Sequence, residues 1–329
     1  MTRRAAITGW GYAVPESVVP NAYFEASVDT SDEWIVERTG IRERRIAGVE
    51  ESTATLAGGA ARRILDRAGV AARDLDLIIL ATATPEQPVP QTAAFLAADL
   101  GVHCGALDLG AGCAGFVYGL VVGAAAVAGG TFDRVLVVGA ETLSRIVDPE
   151  DRSTVILFGD GAAGVLLEAR EDGPGVLAGD LGVDGSAADI LAVPAGGSRR
   201  PATAETVAQR EHYVRMQGQE VFRRAVRAVV DSSESALDRA GVASSAVDWF
   251  VPHQANLRII EAARQRLGIP TERTVVNIEH YGNTSAASIP LALAEAADTG
   301  RFSPGDTILL SGFGAGMSWA SAVLTWGAR

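Results

Sequence analysis

Leu65-Asp-Arg-Ala-Gly-Val-Ala71 recurs residue for residue as Leu237-Asp-Arg-Ala-Gly-Val-Ala243, 172 positions further on. In each copy the segment reads as the end of a helix, with Gly69 or Gly241 as the C-cap. A short linker then leads to a β-rich run, Leu77-Ile-Ile-Leu-Ala-Thr82 in the first copy and Val247-Asp-Trp-Phe-Val251 in the second. The echo continues, with Phe132-Asp-Arg-Val-Leu-Val-Val-Gly-Ala140 matched by Pro304-Gly-Asp-Thr-Ile-Leu-Leu-Ser-Gly312. A 24-residue stretch without charge, Leu109 to Phe132, has its counterpart in Tyr281 to Ala294. Shared order across four elements argues against chance, so the chain reads as a diverged duplication of an α/β unit. The halves, residues 1–172 and 173–329, are expected to meet around two buried central helices.

The uncharged stretch is long enough to raise the question of a membrane span. Its content answers it: Gly and Ala dominate, and no Lys/Arg cluster flanks it, as suits the centre of a large protein. No membrane association is expected. With 329 residues, 48% of them hydrophobic, the chain can bury one large core or two fused ones. A net charge of −12 disfavours nucleic acid as a partner. Cys104 and Cys113 are the two cysteines, with no zinc spacing and no disulfide framework; no metal is expected, and no cofactor is expected either. A free thiol in so cysteine-poor a chain suits a reducing cytoplasm. The N-terminal apolar segment is broken by Gly9, Gly11 and Pro15, and reads as a strand and turn rather than a signal peptide.

Cys113 lies in Asp108-Leu-Gly-Ala-Gly-Cys-Ala-Gly-Phe-Val-Tyr118, where a strand hands over to the uncharged helix. At or near the first turn, a thiolate is stabilised by the helix's positive end and free amides. The duplication places two further polar sites at the same end of the sheets. His253 follows the β-run of the second half in Val251-Pro-His-Gln-Ala-Asn256, about where Thr82 or Ala83 falls in the first. Asn283, in His280-Tyr-Gly-Asn-Thr-Ser285, opens the second central helix. Cys, His and Asn are thus expected at three loop ends facing one crevice.

Together, Gly112-Cys-Ala-Gly-Phe116, Pro252-His-Gln-Ala-Asn256 and Gly282-Asn-Thr-Ser285 resemble the motifs of β-ketoacyl-[acyl-carrier-protein] synthase III, a condensing enzyme of the thiolase superfamily. The resemblance extends to Asp29-Thr-Ser-Asp-Glu-Trp-Ile35, Arg38-Thr-Gly-Ile-Arg-Glu-Arg44, Phe158-Gly-Asp-Gly-Ala162 and Gly312-Phe-Gly-Ala-Gly316. It implies a five-layered αβαβα thiolase-like fold and a homodimer. It also implies the reaction: an acyl-CoA primer acylates Cys113, and malonyl-acyl carrier protein then loses CO₂ and attacks the thioester. In this reading the amides of Cys113 and Ala315 form the oxyanion hole, although the family usually has glycine where Ala315 stands. His253 and Asn283 donate to the malonyl thioester oxygen as it becomes an enolate. The cysteine is expected to have a lowered pKa, through the helix terminus and a neighbouring imidazole.

The second half contains no cysteine, which excludes thiolase chemistry. His103, His212 and His280 read as ordinary surface or turn residues, and Cys104 as a small buried hydrophobe. The resemblance places Trp34, Arg38, Arg152, Asn256 and Arg258 at the CoA and pantetheine site, with Trp34 stacking the adenine. Arg223, Arg258 and Arg266, with Arg224 and Arg227, are candidates for docking the acidic acyl carrier protein; a solvated helix face is the competing reading for Arg224 and Arg227. Val89 stands where some relatives carry phenylalanine at the mouth of the acyl pocket, which leaves room for primers bulkier than acetyl. A priming ketosynthase or acyltransferase of secondary metabolism would carry the same triad. A non-catalytic partner subunit would lack the cysteine.

Overall fold

The computed structural model describes residues 2–327. The first sheet contains β1 (Arg3–Ala13), β2 (Leu77–Ala81), β3 (Gly105–Leu109), β4 (Arg134–Thr142) and β5 (Asp160–Glu171), in the order β1-β5-β4-β2-β3. The second contains β6 (Gly175–Val183), β7 (Trp249–Pro252), β8 (Thr307–Gly314) and β9 (Ser318–Thr325), in the order β6-β9-β8-β7. The two orders coincide once β3 is set aside. Strand directions coincide as well: β2 with β4 and β7 with β8 are parallel, and the remaining shared neighbours are antiparallel. The pairing registers put Leu77 opposite Val135 and Trp249 opposite Ile308.

Of seven longer helices, α2 (Thr53–Ala68), α3 (Thr92–Leu100), α4 (Gly115–Ala128), α5 (Gly218–Ala240), α6 (Leu257–Leu267) and α7 (Ser288–Asp298) cover and separate the sheets, and α1 (Asp32–Thr39) packs against α6. The repeated heptapeptide ends α2 and α5, and both are closed by glycine in the left-handed region, Gly69 at φ 66° and Gly241 at φ 67°. Apolar residues of α2 and α3 bury one face of the first sheet, and those of α5 and α6 bury one face of the second. Between the sheets lie α4 and α7, whose side chains share one core with both. The result is a five-layered αβαβα arrangement of the thiolase type. Small residues make the middle layer possible. A Cβ on Gly119 would lie 3.0 Å from Val137 and 3.2 Å from Ile79, so α4 sits directly on the strands.

The uncharged stretches and the helices differ in extent. A 3₁₀ turn, Gly112–Ala114, precedes α4, so Cys113 sits just before the α-helix and not in its first turn. In the second half, Ile278–Tyr281 is a separate helical turn ended by Gly282, and another 3₁₀ turn, Ser285–Ala287, leads into α7. Asn283 lies ahead of that turn. The link between the halves is tied to both described ends of the chain. Thr2 exchanges backbone and side-chain hydrogen bonds with Asp172, and Gly327 packs against Pro174.

Candidate active site

Cys113 is held between two glycine-dependent turns. Gly112, at φ 52°, aims the chain into the 3₁₀ turn, and a Cβ there would lie 2.7 Å from the Ala315 amide nitrogen. On the facing segment, a Cβ on Gly314 would lie 2.9 Å from both the Cα and the Cβ of Cys113. The two segments are thus in backbone contact, and the amides of Cys113 and Ala315 lie close enough to the thiol to favour its ionised form. Gly316, at φ 76°, keeps this turn with alanine at 315.

His253 leaves the end of β7 with its amide on the Ser311 carbonyl at 2.8 Å, and it is buried. Its Nδ1 is 2.6 Å from the Ser288 hydroxyl, at the start of α7. That hydroxyl accepts from the Gln254 amide at 3.4 Å, which leaves its own hydrogen for Nδ1. With Ser288 donating to Nδ1, the ring carries its proton on Nε2, as a neutral donor. Burial agrees, pushing the imidazole down to about 3.

Asn283 is clamped through its backbone. Its amide donates to the Leu157 carbonyl at 2.8 Å, and its carbonyl accepts from Gly159 at 3.0 Å. Side-chain Oδ1 accepts from the Ser285 amide at 2.8 Å, so Nδ2 is the end left to donate. Cys113, His253 and Asn283 line one cavity of about 180 Å³, whose other walls include Phe158, Leu191, Val221 and Phe313. Such a dry wall strengthens every donor aimed into it.

One expectation fails here. The Cys113 thiol is pushed up to about 12, by burial first and by the neighbouring Glu141 carboxylate, against the pull of Ser285 and the two amides. The imidazole that was to lower it spends Nδ1 on Ser288 instead. In this resting arrangement Cys113 is a thiol. Sequence reasoning passed over Ser285, Ser288 and Glu141. Ser285 ends a quoted motif, and Glu141 follows the quoted strand by one residue.

The residues expected around CoA form a cluster at the cavity mouth. Trp34 is half-buried, with the Arg38 and Arg152 guanidiniums 5.6 and 4.9 Å from its ring centre. Arg152 also donates to the Asp29 carbonyl at 2.7 Å. Asn256 caps α6 by accepting from the Arg258 amide at 2.9 Å, and donates to the Arg38 carbonyl at 3.0 Å, joining α1 to α6. Arg258 lies 6.0 Å over Phe222, a wall residue.

The basic lip is largely neutralised: Arg223 pairs with Glu220, Arg224 with Asp184 and Glu220, and Arg227 with Asp231. Arg266 is exposed near the far end of α6, ~12 Å along the axis from Arg258. Val89 departs furthest from expectation. It is 80% exposed on the loop before α3 and is absent from the cavity wall, because that loop is turned outward, beside β3. Cys104 is half-buried rather than buried. His103 is exposed, His280 faces Glu43 and Glu279 at the surface, and the half-buried His212 stacks on Tyr213 at 4.0 Å.

Comparison with known proteins agrees with this geometry. Residues 107–185 match the family described as 3-oxoacyl-[acyl-carrier-protein (ACP)] synthase III, and residues 237–326 match its C-terminal region. The chain is 50% identical over 329 residues to the β-ketoacyl-[acyl-carrier-protein] synthase III of Roseiflexus castenholzii, covering 100% of both chains. Against the enzyme of that name from Symbiobacterium thermophilum it is 49% identical, over 99% of each. Among solved structures, the 3-oxoacyl-[acyl-carrier-protein] synthase III of Aquifex aeolicus superposes with a TM-score of 0.91 at 43% identity, covering 98% of this chain and 100% of that one. The priming β-ketosynthase of the R1128 polyketide pathway also reaches 0.91, at 37% identity over 99% and 97%. With a turn that presents a cysteine to two backbone amides, and with this similarity along its whole length, the chain belongs to the β-ketoacyl-[acyl-carrier-protein] synthase III family, acyltransferases that condense an acyl-CoA with malonyl-acyl carrier protein to begin fatty acid synthesis.

Proposed function

We propose that this chain performs the family's condensation through Cys113, His253 and Asn283, with the amides of Cys113 and Ala315 as the oxyanion hole. The carrying observation is their convergence on one cavity, with the donors already oriented. In the first half-reaction Cys113 Sγ attacks the acyl-CoA carbonyl, and the developing oxyanion falls to the two amides. CoA departs and malonyl-acyl carrier protein takes its place. His253 Nε2–H and Asn283 Nδ2–H then donate to the malonyl thioester oxygen, whose negative charge grows as CO₂ leaves. The enolate carbon attacks the acyl-Cys113 carbonyl and expels the cysteine. A neutral imidazole suits this work, because it is a donor that keeps its proton.

Trp34, Arg38, Arg152, Asn256 and Arg258 are proposed to receive the nucleotide and pantetheine arm. The ion pairs of Arg223 and Arg224 favour Arg258 and Arg266 as the cations that meet the carrier protein. We also propose two halves joined near residue 172, a cytoplasmic location, and a homodimer built on β3. That strand is an unpaired sheet edge carrying half-exposed Leu107, beside Phe95 of α3. Such an edge is normally covered. Val89, on the neighbouring loop, would then reach the partner's cavity, where its small side chain leaves room for branched primers. No helix among the described residues is long and apolar enough to cross a membrane.

Intact-protein mass spectrometry tests the reading. The protein and Cys113→Ala are mixed with a panel of acyl-CoAs and then with malonyl-acyl carrier protein. The expected result is an adduct on the unmodified protein alone, discharged as a β-ketoacyl product. An adduct that malonyl-acyl carrier protein leaves in place would redirect the reading to acyl transfer onto another acceptor. No adduct with any primer would remove Cys113 as the nucleophile.

A further inference from the structure

The amide and the carbonyl of Asn283 both bind the segment Leu157–Gly159, so whatever fixes that segment fixes the donor. A buried arginine does so. Arg44, on the short strand Glu43–Arg45, has no exposed surface. Its Nη2 donates to the Ile156 carbonyl at 2.6 Å, and its Nη1 to Asn21 Oδ1 at 2.9 Å and to the Val19 carbonyl at 3.2 Å. Asn21 is itself buried, and its Nδ2 is spent on the Ile41 carbonyl at 2.7 Å and Asp32 Oδ1 at 2.8 Å, so the guanidinium meets a fixed acceptor. The guanidinium carbon lies 4.6 Å from the centre of the Phe24 ring. The stem of Arg44 is seated just as closely. Cβ atoms on Gly159 and Gly282 would lie 3.1 and 3.3 Å from the Arg44 Cβ, so the side chain rests on both partners of the clamp. The Arg42 amide donates to the Glu279 carbonyl at 3.0 Å, joining the same strand to the turn that delivers Gly282 and Asn283.

We propose that Arg44 is a positioning residue for the condensation, holding the Ile156–Gly159 segment and Gly282 in the one arrangement that presents the Asn283 side-chain amide to the malonyl thioester oxygen. This rests on Asn283 being that donor. Arg44 is absent from the cavity wall, so it acts through the backbone of Asn283 and touches no reacting atom. Its chemistry is otherwise hard to account for. Among the described residues it forms no ion pair, and its three hydrogen-bond acceptors are neutral. Burial pushes the guanidinium down to about 10, which leaves it charged at neutral pH. A buried cation without a counter-ion is costly, and a site that needed only bulk would be filled at less cost by leucine or methionine. What these cannot supply is a planar fork with bonds in fixed directions to three separate segments. Precision is what an enolate donor needs, since a misplacement of about 1 Å at a reacting group can cost ~100-fold in rate.

The test measures two rates in the full-length enzyme, each per Cys113 that can be acylated. One is acylation at saturating acyl-CoA, which needs nothing from Asn283; the other is CO₂ release from malonyl-acyl carrier protein by the unacylated enzyme, which does. Arg44→Met is expected to lower decarboxylation ~10- to 100-fold relative to acylation. Arg44→Lys should fall between, because a single ammonium cannot serve three acceptors in fixed directions. In an Asn283→Ala background neither change should lower decarboxylation further, since the group being positioned is gone. Should Arg44→Met not fold, Arg44→Lys, which keeps the charge, carries both comparisons. Rates that are unchanged or equally lowered, or an Arg44 effect undiminished in the Asn283→Ala background, would make Arg44 a support of the fold alone and overturn the proposal. Decarboxylation untouched by Asn283→Ala itself would instead remove the donor assignment beneath it.

Discussion

The two halves share strand order, strand direction and helix placement, yet they divide the chemistry unequally. Each central helix is entered through a 3₁₀ turn whose first residue is left-handed, Gly112 at φ 52° and Ser285 at φ 47°. In the first half the next amide, that of Cys113, lies close to the thiol; in the second the next amide, that of Ala286, faces the Glu141 carboxylate. The strand ends differ more. In the first half, residues after β2 and the end of β4 bind each other, through Thr82, Thr84 and Glu141. In the second, the corresponding places hold His253 and Gly314, both lining the cavity. One copy keeps its polar ends for itself, and the other turns them toward the cavity. A duplicated scaffold can thus hold a site that is not symmetric.

Substitutions can break this comparison, and the largest effect belongs to the donors of the second half. Removing either donor, as His253→Ala or Asn283→Ala, should lower condensation ~100- to 1,000-fold, about 3 kcal/mol or more, while acylation of Cys113 persists. Comparable loss of both half-reactions would mean that the division between the halves is wrong. Gly314→Ala strikes the seam between them. Its new Cβ would press on Cys113 backbone atoms, and acylation should fall ~100-fold along with a loss of thermal stability, both read on the purified variant.

A pH series sharpens the contrast between the imidazole and its surroundings. His253 titrates at about 3 when folded against an ordinary value near 6.5, so between these the unfolded chain binds the extra proton. Stability from this group is complete above ~6.5 and is lost as pH falls toward 3, by at most ~1.4 kcal/mol per unit. Denaturant midpoints of the protein and of His253→Gln should diverge in that window, the variant having the shallower slope, and parallel curves would contradict the sign. The smallest effect is meant to be equal in both halves. Gly69→Ala and Gly241→Ala each force a side chain into the left-handed region with no neighbour nearby, and each should cost about 1 kcal/mol with activity intact.

The duplication was legible because a left-handed helix cap demands glycine, so Gly69 and Gly241 survived with their flanks where the strands had drifted. Cys113, His253 and Asn283 were legible as motifs. Their supporting partners were not. A charged residue at the end of a strand, such as Glu141, reads as an exposed one until the loops that cover it are known. The Ser288 hydroxyl reads as a helix start, and only the packing of α7 against β7 turns it toward an imidazole. The state of the thiol was misjudged because a helix terminus was weighed without the burial that opposes it. The outward turn of Val89 and the ion pairs of Arg223 and Arg224 depend on tertiary neighbours that no local pattern encodes.

Thr2 meets Asp172, and Gly327 meets Pro174, so both described ends of the chain gather at the crossing from one half to the other. A short bridge from 327 to 2, with the backbone opened beside Gly173, would circularly permute the protein, reversing the order of the copies along the chain while leaving every strand with its neighbours. Which copy is translated first is then a matter of ancestry, and the fold is indifferent to it.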